Sequence, residues 1–177
     1  MSLAPWKKLT RTVVAQNAYW TYCKDQYELP SGRQGEYFYV HTNGASLIVP
    51  VTADGRILLV RQYRYLCSRE SIEFPCGGVK DGSSYNETAW HELREETGYT
   101  SDTVLLAGAF NPYNGITDEI CNVYIARDKK NVGVEPDETE EFEQLSLSPV
   151  EIDARIADGT IWDGMTIAAW GIVRGKL

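Results

Sequence analysis

The stretch that most constrains this chain is Gly77–Tyr99, GGVKDGSSYNETAWHELREETGY. A glycine-rich entry leads into serines, then into a short amphipathic segment closed by Gly98. Within that segment Glu92, Glu95 and Glu96 stand at i, i+3 and i+4. On a helix of 3.6 residues per turn they fall within an arc of about 100° on one face. Like charges so close repel, and the helix gains nothing from them unless a cation sits opposite. A hard divalent ion such as Mg²⁺ answers that need, because it takes oxygen ligands and keeps waters for a phosphate substrate.

The helix is specified at both ends. Ser83 or Ser84 can serve as N-cap, and Ser84 with Glu87 has the spacing of a capping box. Ala89, Trp90 and Leu93 form an apolar stripe beside the carboxylates, so one flank packs while the other faces a cleft. Gly98 stands where a left-handed residue ends a helix. The competing reading is a surface helix with solvated glutamates.

The same stretch resembles the Nudix box, G-x5-E-x7-R-E-U-x-E-E-x-G-U, where U is aliphatic or bulky and apolar. Gly77, Glu92, Leu93, Glu95, Glu96, Gly98 and Tyr99 match it, whereas Ser83 replaces the first glutamate and His91 the arginine. The resemblance implies that Glu92, Glu95 and Glu96 bind metal and take part in catalysis, with Mg²⁺ as cofactor and Mn²⁺ as an alternative. It also implies that the backbone carbonyl of Cys76 binds metal. The box arginine orients a neighbouring glutamate, a task His91 can share, since Glu87 and Glu95 lie four residues to either side.

Composition sets the frame for that expectation. A chain of 177 residues suits one core-bearing domain, and a formal charge of −8 argues against a nucleic-acid partner. The same charge obliges a polyphosphate to rely on local arginines and metal ions. No run is long and apolar enough for a bilayer span, so no membrane partner is expected. Cys23, Cys67, Cys76 and Cys121 show no CxxC spacing, which points to a reduced cytoplasmic setting rather than thiolate-bound zinc.

Upstream of the box, Thr12–Ala15, Ala18–Cys23 and Gly35–His41 read as strands, with a turn at Leu29–Gly32. Trp20, Tyr22, Tyr27, Tyr37 and Tyr39 either pack a sheet or present one or two rings to a base or a dimer interface. The segment resembles the ADP-ribose pyrophosphatase branch of the family, in which such rings hold adenine; Trp20 is the nominee. Ala45–Val51 and Ile57–Arg61 read as a hairpin about Asp54-Gly55. Arg61 and Arg64 follow, and each needs an anionic partner if buried. For Arg64 the VRQYR…IEFPCGG pattern implies a substrate contact. Glu73 either binds metal-bound water or pairs with Arg61 or Arg64.

Beyond the box, Thr103–Phe110 and Cys121–Ala126 read as strands. Gly115–Glu119, in the loop between them, resembles the branch's substrate loop and makes Gly115 a substrate-binding candidate. The acidic run PDETEEFE reads as a hydrated loop, and the resemblance implies that Glu140 or Glu141 orients the attacking water. Ser148-Pro149-Val150-Glu151 starts another helix, which ends near Gly159, and a further helix begins around Asp163–Met165.

The expected fold is therefore α/β: a Nudix α/β/α sandwich with a mixed sheet and an N-terminal antiparallel extension. Residues 1–44 would form the extension, for dimerisation and base stacking, and 45–177 the hydrolase domain. The expected reaction is hydrolysis of a nucleoside diphosphate sugar, ADP-ribose to AMP and ribose 5-phosphate, by a homodimer. The alternatives are a nucleotide-sugar-binding sensor and a hydrolase of another sugar nucleotide such as GDP-mannose.

Overall fold

The computed structural model describes residues 3–133 and 142–177. It divides into two compact units, Met1–Asn43 with Asn111–Glu119, and Gly44–Phe110 with Ile120–Leu177.

In the first unit, β1 (Lys7–Gln16), β2 (Thr21–Glu28) and β3 (Gln34–His41) form an antiparallel sheet in that order. The link between β1 and β2 is a turn built on Asn17, whose Oδ1 accepts from the backbone N–H groups of Tyr19 at 2.8 Å and Trp20 at 2.9 Å. Asparagine commonly mimics a backbone turn in this way. This turn delays β2 to Thr21, three residues later than the run from Ala18 suggests. The 111–119 loop joins the sheet through Val40, which bridges Thr117 in parallel.

In the second unit, β4 (Ala45–Pro50), β7 (Cys76–Gly78), β8 (Tyr99–Phe110) and β9 (Cys121–Asn131) make a mixed sheet of order β7-β4-β9-β8. Only β4 and β9 run parallel. A second, antiparallel sheet has the order β10-β5-β6, from β5 (Ile57–Arg64), β6 (Arg69–Glu73) and β10 (Glu143–Leu147). The Asp-Gly segment is a hairpin only at its base. Val51 bridges Ile57, after which β4 and β5 diverge into different sheets.

Alternation along β4 builds the layers. Ile48 packs with Ala89 and Leu93 of α1 (Tyr85–Thr97) and with Tyr124 and Ala126. Leu47 and Val49 turn the other way, to Ile152 of α2 (Pro149–Ala157) and to Ala169, Trp170 and Val173 of α3 (Gly164–Val173). Helices thus cover both faces, and each buried aliphatic side chain contributes about 1.5–3 kcal/mol. This is the expected α/β/α sandwich. Both capping boxes form: Ser84 Oγ accepts from the Glu87 N–H and Ser148 Oγ from the Glu151 N–H, each returned by the glutamate carboxylate. Gly98 ends α1 at φ +69°.

Candidate active site

The clamped ends of α1 fix which way its carboxylates point. Glu96, one turn beyond Glu92, is only 5% exposed. Glu92 and Glu95 are half-buried and line a cavity of about 240 Å³ together with Lys80, Ser83 and His91. The Glu92 carboxylate rests on the backbone of β7: a Cβ at Gly77 would lie 2.0 Å from its Oε1. A glycine is thus required there for space, at a position where φ makes no special demand.

Cys76, next on β7, has its thiol held well above the ordinary value. Its hydrogen bond with Cys121 is the main cause, followed by burial, with the charges of Glu92 and Glu96 adding to both. A thiol so held stays protonated and does not act as a nucleophile.

Arg64, at the end of β5, donates through Nε to Glu73 Oε1 at 2.8 Å and through Nη2 to Oε2. Glu73 is 3% exposed and also accepts from Gln62 Nε2 at 3.4 Å. The pair raises the pKa of Arg64, against the opposing effect of burial, and Asp163 and Glu96 add smaller electrostatic contributions. Arg61 turns away from this network to Glu143, and to Glu70 at 3.5 Å. Of the two partners expected for Glu73, it is Arg64 that binds it.

The structure therefore gathers Glu92, Glu95, Glu96, Cys76, Arg64 and Glu73 within the second unit. Trp20 and Gly115 belong to the first unit. There Trp20 is 42% exposed, and the Gly115 carbonyl accepts from the Tyr37 hydroxyl at 3.0 Å. Glu140 and Glu141 lie outside the described residues. Two features escaped the sequence reading. One is Lys80 in the carboxylate cavity. The other is a cavity of about 460 Å³ in the first unit, lined by Lys8, Asp25, Tyr37, Tyr39, Asn111 and Asp118. Period-two spacing of Tyr37 and Tyr39, opposite Asp25 and Cys23 in the β2–β3 register, was the available signal for the second.

A family model for the NUDIX domain matches residues 40–167. The chain belongs to the Nudix family. Among its relatives, an ADP-ribose pyrophosphatase of Bacillus subtilis is 34% identical over 126 residues, covering 71% of this chain and 68% of its own. A GDP-mannose pyrophosphatase of Yersinia enterocolitica is 36% identical over 141 residues, covering 73% and 72%. A methanol dehydrogenase activator of Bacillus methanolicus is 31% identical over 147 residues, covering 82% and 80%. A crystal structure of an ADP compounds hydrolase matches with a TM-score of 0.86 at 24% identity, over 100% of this chain and 96% of that one, and supports the fold.

Nudix hydrolases work with divalent metal ions, and the donor set of α1 fits such an ion. Glu92 is seated in a cradle that a Cβ would fill, Glu95 shares its cavity, and Glu96 is a buried carboxylate on the same helix face. All three are hard oxygen donors of the kind Mg²⁺ accepts. Among the described residues no three His, Cys, Asp or Glu side chains are already gathered as a cage, so an ion would have to draw these carboxylates together. No helix of the described residues is long and apolar enough to cross a membrane.

Proposed function

We propose that this Nudix protein hydrolyses the pyrophosphate bond of a nucleoside diphosphate sugar, ADP-ribose first among them, releasing AMP and ribose 5-phosphate. The observation that carries the reading is the seating of Glu92 on Gly77, with Glu95 in the adjoining cavity and Glu96 within electrostatic reach of Arg64. The choice of substrate rests on the relatives named for ADP-ribose and GDP-mannose.

Mg²⁺, or Mn²⁺ in its place, would neutralise phosphate oxygens and acidify the attacking water when bound. Glu92, Glu95, Glu96 and the Cys76 carbonyl would hold it. Arg64 spends Nε and Nη2 on Glu73, which fixes the plane of the guanidinium and leaves Nη1 to meet a phosphate or ribose oxygen. Glu140 or Glu141 would orient the water. Trp20, as a base-stacking ring, and Gly115 are the first unit's substrate-binding candidates, with residues 1–44 also serving a homodimer. The four free cysteines suit a cytoplasmic enzyme.

The test is AMP release from ADP-ribose with Mg²⁺, by the wild type and by Glu140→Gln and Glu141→Gln, and GMP release from GDP-mannose. Ser83 and His91, which stand at two box positions in the cavity wall, favour a second reading: a sensor that binds the nucleotide sugar without turnover. Tight binding without product would select it.

A further inference from the structure

His91 occupies a box position at which arginine offers only N–H donors, whereas a neutral imidazole carries a nitrogen lone pair. It lies in the wall of the same cavity as Glu92 and Glu95, one helical turn before Glu95. Residues four apart on a helix share a face and can reach one ion together. Glu87, one turn to the other side, feels the charge of His91, but its Oε2 is engaged elsewhere. That oxygen accepts from both the backbone N–H and the hydroxyl of Ser84 at 2.8 Å. Ser83, in the same wall, is far smaller than the glutamate of the box pattern. The cavity these residues line, about 240 Å³, admits an ion with several waters at roughly 30 Å³ each. Imidazole nitrogen favours transition ions, whereas an all-oxygen set favours Mg²⁺.

We propose that His91 is a nitrogen ligand of the metal centre in this chain, tuning a carboxylate site toward later transition ions such as Co²⁺. The proposal rests on the reading of Glu92 and Glu95 as ion ligands. It makes His91 a determinant of metal choice, a role that no arginine at that position can play.

The experiment is metal binding to the full chain, with no substrate present. Co²⁺ affinity is measured by competition with a chromophoric chelator and Mg²⁺ affinity by calorimetry, for the wild type, His91→Arg, His91→Ala and Glu95→Gln. Both His91 variants should bind Co²⁺ about tenfold more weakly or worse, with Mg²⁺ affinity nearly unmoved. Electron spin-echo spectra of the Mn²⁺-loaded wild type should show nitrogen modulation that both variants lose. His91 is exposed, and thermal melts of each variant check that the fold is intact. Unchanged Co²⁺ affinity in both His91 variants, or a wild type without nitrogen modulation, overturns the proposal. Glu95→Gln should weaken both ions, and if it weakens neither, the carboxylate reading falls and the proposal with it. AMP release is scored separately on the same preparations. Its absence would count against the hydrolase reading while leaving a His91-dependent Co²⁺ affinity in force.

Discussion

Gly77→Ala isolates the seat of Glu92 from the stability of the fold. The added Cβ would meet Oε1 at 2.0 Å, Cδ at 2.3 Å and Oε2 at 2.8 Å. Ordinary contact begins near 3.4 Å, so Oε1 must retreat from 2.0 to 3.4 Å, about 1.4 Å. The clashing group is the far end of a flexible side chain, so the backbone can stay where it is and the helix caps are untouched. A misplacement of about 1 Å in a reacting constellation costs about 100-fold in rate, or about 2.7 kcal/mol of transition-state stabilisation. The variant should therefore melt within a degree or two of the wild type while losing about two decades of kcat/KM on ADP-ribose. Mg²⁺ affinity, measured by calorimetry, should fall in parallel. Wild-type turnover by a folded Gly77→Ala protein would refute the reasoning, because Glu92 would then have no need of its place on β7.

Glu73→Gln removes the anionic partner of Arg64 from a nearly closed position; it should lower stability by about 1–3 kcal/mol and raise KM for the nucleotide sugar. An unchanged KM would mean that the guanidinium does not meet substrate. Ser84→Ala deletes the α1 cap and should cost about 1 kcal/mol, lowering Tm by about 2–4 °C in a scanning melt. Leu93→Ala, at a fully buried site, should cost about 2–5 kcal/mol in urea unfolding, far more than the cap. Acid should act through the second cap as well. Glu151 is held below its ordinary value near 4.5, chiefly by the Ser148 N–H. Its contribution is present above that pH and is lost as pH falls through the depressed folded value. Glu151→Gln should flatten the acid branch of the stability curve, and superimposable branches would rule this out.

What the sequence disclosed was mostly local. The α1 carboxylates, both capping boxes and Gly98 follow from spacings of three to seven residues, which a single helix enforces. Long-range pairing was less legible. Glu73 lies opposite Val60 and Arg64 opposite Arg69, so their contact spans four register positions and could not be chosen over Arg61 from composition alone. Strand β10 went unread because Glu143-Gln144-Leu145-Ser146-Leu147 is largely exposed and polar, and only its pairing with β5 makes it a strand. Asn17 displaced the start of β2 because a side-chain turn outweighed the β-rich run that follows it. The space requirement at Gly77 is likewise invisible in one dimension, since the side chain that fills it lies fifteen residues away.

The double clamp on α1 also dictates where this chain can tolerate a change of length. An extra residue between Gly78 and Gly82 would enlarge a loop and leave the helical phase alone. One inserted between Glu87 and Glu92 would rotate every later side chain by about 100°. That single step would swing Glu95 and Glu96 off their bearing and misalign Leu93 with its packing slot, so indels belong before the serine and never after it.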